Sequence, residues 1–234
     1  MPAIADLVAP FETTLRALAD PVRAEPMRAY MQNQFAFLGL PAPVRRNALK
    51  AMPKMALPAP ELLALAEALW RLPEREFRYT AVDLLARQHR CLDLKALPQL
   101  LQLVQRDAWW DTVDALAGVI GDVLLRAKAG QADVQQLADA WLLEPNLWLR
   151  RVAMLHQLGW RGQTDVPRLF RYALALGHEK EFFVRKAIGW ALRDYAKTAP
   201  AAVQAFLERH RDRFSGLTLR EAGKHLNTAR DKAL

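Results

Sequence analysis

The chain has 234 residues, of which 52% are hydrophobic and 25% charged. That mix excludes a chain disordered along most of its length, and no run of about 18 apolar residues is present to cross a membrane as a helix. The net charge of +8, from 33 lysines and arginines against 25 acids, favours a polyanionic partner, nucleic acid first, although an evenly spread basic bias would give the same sum.

The N-terminal stretch MPAIADLVAPFETTL has no basic leader and carries Asp6 and Glu12, which reads against a signal peptide. A single cysteine, Cys91, excludes an internal disulfide and suits a reducing compartment. The expectation is a cytoplasmic protein with one domain spanning residues 1–234. Tyr30 leads QNQFAFLGLPAPVRR, where a proline-punctuated turn opens a helix bearing Arg45 and Arg46. Arginines at the start of a helix are candidate phosphate contacts.

ELLALAEALW reads as a less regular helix, and FRYTAVDLLARQ, from Phe77, as an amphipathic one. The next long helix lies in DAWWDTVDALAGVIGDVL (107–124). Trp109, Val113, Leu116, Ile120 and Leu124 form its buried stripe, Asp107 is the expected cap, and Asp111 complements the helix dipole. Trp110 and Asp114 lie about 40° apart on the shoulder of that stripe at roughly 100° per residue. Only Ala117, Gly118 and Gly121 continue the shoulder. A glycine inside a helix costs about 1 kcal/mol relative to alanine, so both need a reason: close approach of a ligand or backbone, or tight helix packing.

WLRRVAMLHQLGW follows ADVQQLADAWLL and turns Trp148, Val152 and Leu155 to the core. Arg150 points the other way, as a solvated charge. Arg151 sits on the flank, where it is either a structural salt bridge or a phosphate clamp suited to the planar fork of arginine. FVRKAIGWALRDYAK buries Val184, Ala187, Ile188 and Ala191 and carries Lys186 and Arg193 on its opposite side. Trp190 borders those two cations, as a core anchor with an exposed edge or as a residue that stacks on nucleic acid. At the C-terminus, Thr218-Leu-Arg-Glu221 fits a capping box that opens a last helix, REAGKHLN.

Short Pro- and Gly-bearing connections punctuate the helices, and strand signals are scarce. Phe77, Trp110, Trp148 and Phe183 open four of the helices at intervals of 33, 38 and 35 residues, each interval holding a second, less regular helix. Helix pairs recurring at this period predict an all-α fold, an α-solenoid of HEAT-like repeats, with these four helices lining one concave, basic cleft. That face would hold a carboxylate, exposed aromatics and a set of cations together. A cleft built only to bind phosphates gains nothing from Asp114. A carboxylate becomes useful where positive charge develops, as it does on the sugar when an N-glycosidic bond breaks. A cationic alkylated base would also be attracted to the indole faces of Trp110 and Trp190, and it leaves without a general acid.

At AYMQNQFAFLGLPAPVRR, WWDTVD, NLWLRRVAMLHQL, EFFVRKAIGWALRDYAKTAP and LTLREAGKHL, in order from Tyr30 to Leu226, the sequence resembles the HEAT-repeat alkylpurine DNA glycosylases of the AlkD type. The resemblance implies a DNA repair enzyme that holds duplex DNA in the cleft and removes N3- or N7-alkylated purines in base excision repair. It also implies contact with the lesion's deoxyribose and backbone in place of an enclosing base pocket. Trp110, Asp114, Arg151 and Trp190 are then the functional positions, with Tyr30 on the DNA surface. By the same carry-over the two tryptophans pack against the sugar, Asp114 stabilises the oxocarbenium ion and positions water, and Arg151 holds a phosphate.

Two other readings compete: a HEAT array that scaffolds proteins without catalysis, and a module that binds DNA or RNA without chemistry. No cofactor or metal is expected, because His89, His156, His178, His210 and His225 are scattered and Cys91 has no orienting partner. The expected partner is duplex DNA carrying alkylated purines, bound by a monomer with no membrane and no obligate protein partner.

Overall fold

The computed structural model describes residues 3–53, 55–128, 130, 134–224 and 226. It is all-α, with thirteen α-helices among the described residues, and the only extended pairing there is an isolated bridge between Ala36 and Glu74. The helices follow one another in pairs, as in an α-solenoid. Two compact units divide the chain at residues 99 and 100.

The first unit holds α1 (Ile4–Arg16), α2 (Pro21–Tyr30), α3 (Ala42–Lys50), α4 (Ala59–Trp70) and α5 (Arg75–Arg87). The apolar residues of ELLALAEALW become the buried face of α4, which packs on α1 and α5. Glu76 is fully buried in α5 and accepts the backbone N–H groups of Leu38, Gly39 and Leu40 at 2.9–3.0 Å, which fixes the turn ahead of α3. A buried carboxylate satisfied by three such donors is a structural anchor, and the sequence did not mark it.

The second unit holds α7 (Trp110–Lys128), α8 (Gln136–Trp141), α9 (Leu147–Leu155), α10 (Val166–Ala175), α11 (Phe182–Ala196), α12 (Pro200–Arg209) and α13 (Gly216–Gly223), while α6 (Leu97–Gln105) spans the division. α7, α9, α11 and α13 pack side by side in chain order, and α8, α10 and α12 cover them. The four helices predicted from recurring aromatics are therefore α5, α7, α9 and α11. Val113, Leu116, Ile120 and Leu124 of α7 are fully buried, as are Val152 and Leu155 of α9. His156, at the end of α9, lies among Trp141, Trp160 and Tyr172. Burial pushes it down to about 4, so it is neutral, with Nδ1–H donating to the Ala153 carbonyl.

Two local expectations fail. Arg150 is not a solvated charge: it pairs with Glu179 and donates to the carbonyls of Glu144 and Pro145. The carbonyls left open by the turn before α9 need a donor, and its long side chain supplies one. The capping box at Thr218 is also displaced. α13 begins at Gly216, Ser215 caps it by accepting the Thr218 N–H, and Thr218 and Glu221 are buried inside the helix. His225 lies outside the described residues.

Candidate active site

The turn ahead of α7 places Asp107 in the left-handed region, at φ 49°, three residues before the helix begins at Trp110. The Trp109 carbonyl accepts the first helical bonds, from the N–H groups of Thr112 and Val113. Its ring packs 5.8 Å from Trp148 and 5.0 Å from Phe183, which lie 5.1 Å from each other. The aromatic that recurs in space is thus Trp109, one residue before the one predicted from spacing. Trp110 is half-buried at the first position of α7, one turn before Asp114.

Arg151 reaches Asp114 from α9. Its Nε and Nη2 donate to Oδ1 and Oδ2 of Asp114 at 2.6 and 2.7 Å, and its Nη1 donates to the Phe183 carbonyl. The Arg151 side chain is 1% exposed, whereas 19% of the Asp114 side chain is accessible. Each nitrogen of the guanidinium is engaged, and the bidentate geometry that would suit the expected phosphate is directed here at a carboxylate. Burial raises the Asp114 carboxyl above its ordinary value of 3.8; the hydrogen bonds and charge of Arg151 pull the other way, Asp111 adds to the rise, and Lys186 opposes it. The carboxylate keeps lone-pair sites beyond the two that Arg151 occupies.

Trp190 stands at the same place on α11. Arg151, Lys186 and Arg193 lie 5.5, 5.4 and 5.8 Å from its ring, and its Nε1–H donates to Oε2 of Glu221 at 3.1 Å. Lys186 also lies 5.6 Å from the ring of Phe182, and among the described residues it has no carboxylate within salt-bridge distance. Arg193 is less available than the sequence suggested, because it pairs with Glu221 at 2.8 Å and is largely covered. Asp114, Arg151, Trp190 and Lys186 are therefore brought together, and Glu221 is a second carboxylate in their surroundings that the sequence reading assigned to a helix cap. The signal that would have found it is Gly189, which lets α13 approach α11 at the residue before Trp190.

The two glycines beside Asp114 have different reasons. A Cβ on Gly121 would lie 1.9 Å from the His156 carbonyl oxygen, so this glycine serves tight packing of α7 on α9. A Cβ on Gly118 would meet no atom within 4 Å, and the position is exposed one turn beyond Asp114.

The remaining candidates lie in the first unit. Tyr30 ends α2 and is 72% exposed. Arg45, the first of the two arginines expected at phosphate, is 3% exposed, donates to Asp83 at 2.7 Å and lies 5.6 Å from the ring of Tyr79. Burial lowers its pKa, with Asp83 opposing the shift. Arg46, one residue on, turns outward: its side chain is 55% exposed and reaches Asp83 only at 3.3 Å.

Chemically, the site offers an accessible carboxylate oriented by a buried cation, next to an indole bordered by positive charge. Among solved structures, a predicted DNA alkylation repair enzyme from Enterococcus faecalis is 32% identical, with a TM-score of 0.78 over 89% of this chain and 96% of that one. AlkD2 from Streptococcus mutans (20% identity, TM-score 0.62, 95% and 98% covered) and smu.31 from Streptococcus mutans UA159 (22%, 0.56, 76% and 88%) share the fold. No curated protein matches the chain. The family profile described as DNA alkylation repair enzyme matches residues 11–226. With the fold, a relative of 32% identity and this match over nearly its whole length, the chain belongs to the DNA alkylation repair enzyme family.

Proposed function

We propose that the protein is a monofunctional DNA glycosylase that excises N3- and N7-alkylated purines from duplex DNA in base excision repair. One observation carries the reading: Asp114 is bound through both oxygens by a buried guanidinium and still keeps 19% of its side chain accessible. Such a carboxylate is held in one orientation and retains lone pairs for a reactant.

An N3- or N7-alkylated purine carries positive charge and departs as a neutral base when the bond from C1′ to its nitrogen breaks. The sugar becomes an oxocarbenium ion, which the negative charge of Asp114 stabilises. The same carboxylate orients water for attack at C1′ and receives its proton, leaving an abasic site in an unbroken strand. Trp110 and Trp190 pack against the lesion nucleotide, and an indole face contributes about 0.5–2 kcal/mol to holding a cation. Arg151 acts through Asp114, by orienting it and favouring its ionised form. Lys186, Arg46 and Tyr30 contact DNA outside the reacting atoms.

The direct test is release of methylated base from duplex DNA containing 7-methylguanine, in single-turnover reactions of wild type and Asp114→Asn. The expected result is release by wild type, a loss of about a hundredfold or more in the variant, and DNA binding kept by both. Asparagine retains one acceptor for Arg151, and a thermal melt verifies that the variant is folded. Absence of release from 7-methylguanine and 3-methyladenine, by folded wild type that binds DNA, would sink the glycosylase reading and leave a binding module.

A further inference from the structure

Glu221 sits at the indole edge of Trp190, and the packing of two helices serves to bring it there. A Cβ on Gly189 would lie 2.4 Å from the Glu221 Cβ and 2.9 Å from the Thr218 carbonyl oxygen, so α11 and α13 touch at the residue immediately before Trp190. The Thr218 hydroxyl donates to the Arg185 carbonyl at 3.1 Å, a second tie between the same helices. Glu221 is 8% exposed and receives three donors. Trp190 Nε1–H and Arg193 Nη1 reach Oε2 at 3.1 and 2.8 Å, and Lys224 Nζ reaches Oε1 at 2.7 Å.

We propose that Glu221 is a positioning residue for Trp190: by accepting the indole N–H, it selects the ring orientation that sets the indole beside Arg151 and Lys186 next to Asp114. The torsion that turns an indole is broad and roughly two-fold, so a ring without a fixed N–H partner has two ways to lie in its place. Only one of them points Nε1 at α13. Arg193 and Lys224 balance the charge of Glu221, which lets a carboxylate stand close to Asp114's surroundings without adding net repulsion there. A strong acceptor at the N–H edge also leaves the ring face free for other contacts. The effect on base release rests on the glycosylase reading above; the effect on the indole does not.

The test is in two parts. In proton–nitrogen spectra of the full chain, the seven tryptophans give seven indole signals, and that of Trp190 is identified by its loss in Trp190→Phe. Glu221→Ala is expected to shift this signal and speed its hydrogen exchange, whereas Glu221→Gln, which keeps an acceptor, stays close to wild type in exchange rate. In single-turnover release, Glu221→Ala is expected to slow the reaction about tenfold or more with DNA affinity kept, Glu221→Gln to restore most of the rate, and Glu221→Ala to cost nothing further in a Trp190→Phe background. An unchanged Trp190 signal in Glu221→Ala would overturn the proposal. So would an equal loss of rate with and without Trp190, which is what a merely structural tie of α13 predicts. If Glu221→Ala does not fold, Glu221→Gln alone decides: a Trp190 signal identical in shift to wild type counts against the contact. If wild type releases no alkylpurine, the glycosylase reading falls while the indole measurement still judges Glu221.

Discussion

Asp114 and Arg151 satisfy one another across two helices, so substituting either exposes what the other was doing. A buried arginine that loses its carboxylate, or the reverse, costs about 3–5 kcal/mol, because an uncompensated charge remains in a poorly hydrated place. Their separate roles can be told apart by pH. Burial raises the Asp114 carboxyl above 3.8 and Arg151 restrains the rise. In the folded protein the proton is therefore held more tightly than in the unfolded chain, and the stability cost of ionising Asp114 appears as pH rises from 3.8 through the folded value. In the proposed reaction release needs the ionised form, so activity is expected to fall as pH drops through that raised value, sooner than for an ordinary aspartate. Arg151→Met removes the restraint and is expected to move the acid limb of single-turnover release to higher pH, with little change in how DNA affinity depends on salt. A weakened, less salt-sensitive affinity with an unmoved limb would instead return Arg151 to the role of phosphate clamp. The sequence held both readings of Arg151 open because its partner lies 37 residues away, and helical spacing places a residue on a flank without saying what faces it.

At the scale of the element, helical periodicity located α5, α7, α9 and α11, because a buried stripe repeats with the turn of the helix and prolines mark the ends. It was less able to fix register. Trp109 and Trp110 are adjacent, and only packing shows that Trp109 joins Trp148 and Phe183. The C-terminal cap was misplaced for a similar reason: Ser215 and Thr218 both suit a cap, and the contact of Thr218 with Arg185 decides between them. Gly118 and Gly121 look alike in sequence, and substitution should separate them. Gly118→Ala meets no neighbour, so it should stabilise the protein by about 0.5–1 kcal/mol through helix propensity. Gly121→Ala drives a methyl into the His156 backbone, where neither helix can yield cheaply, and should cost about 1–3 kcal/mol or more. It should also slow release, since the displaced pair α7–α9 carries Asp114 on one helix and Arg151 on the other. Thermal melts of the two variants check the first claim; equal melting temperatures would contradict the packing that distinguishes them.

For the whole molecule, the net charge of +8 says only that a polyanion is welcome, and the ion pairs distinguish the candidate cations from one another. Arg45, Arg151 and Arg193 spend their charge on Asp83, Asp114 and Glu221. Lys186 and the outward-turned Arg46 do so less, and this could not be read from composition, in which all five count equally. The residues proposed for chemistry fall in the unit 100–234, and Tyr30 and Arg46 in the unit 1–99, so binding and reaction should be separable by substitution. Lys186→Ala should lower the dependence of log affinity on log salt by about one phosphate contact, whereas Arg45→Ala should leave the slope alone and lower the melting temperature. Tyr30→Ala removes an exposed ring and should weaken binding of duplex DNA about tenfold, within the range for loss of one aromatic contact, with the single-turnover rate at saturating protein within about twofold of wild type. Asp114→Asn should do the reverse. If Tyr30→Ala instead slowed the saturated rate as much as Asp114→Asn does, Tyr30 would belong with the reacting centre, and the separation of binding at Tyr30 from reaction at Asp114 would have to be abandoned.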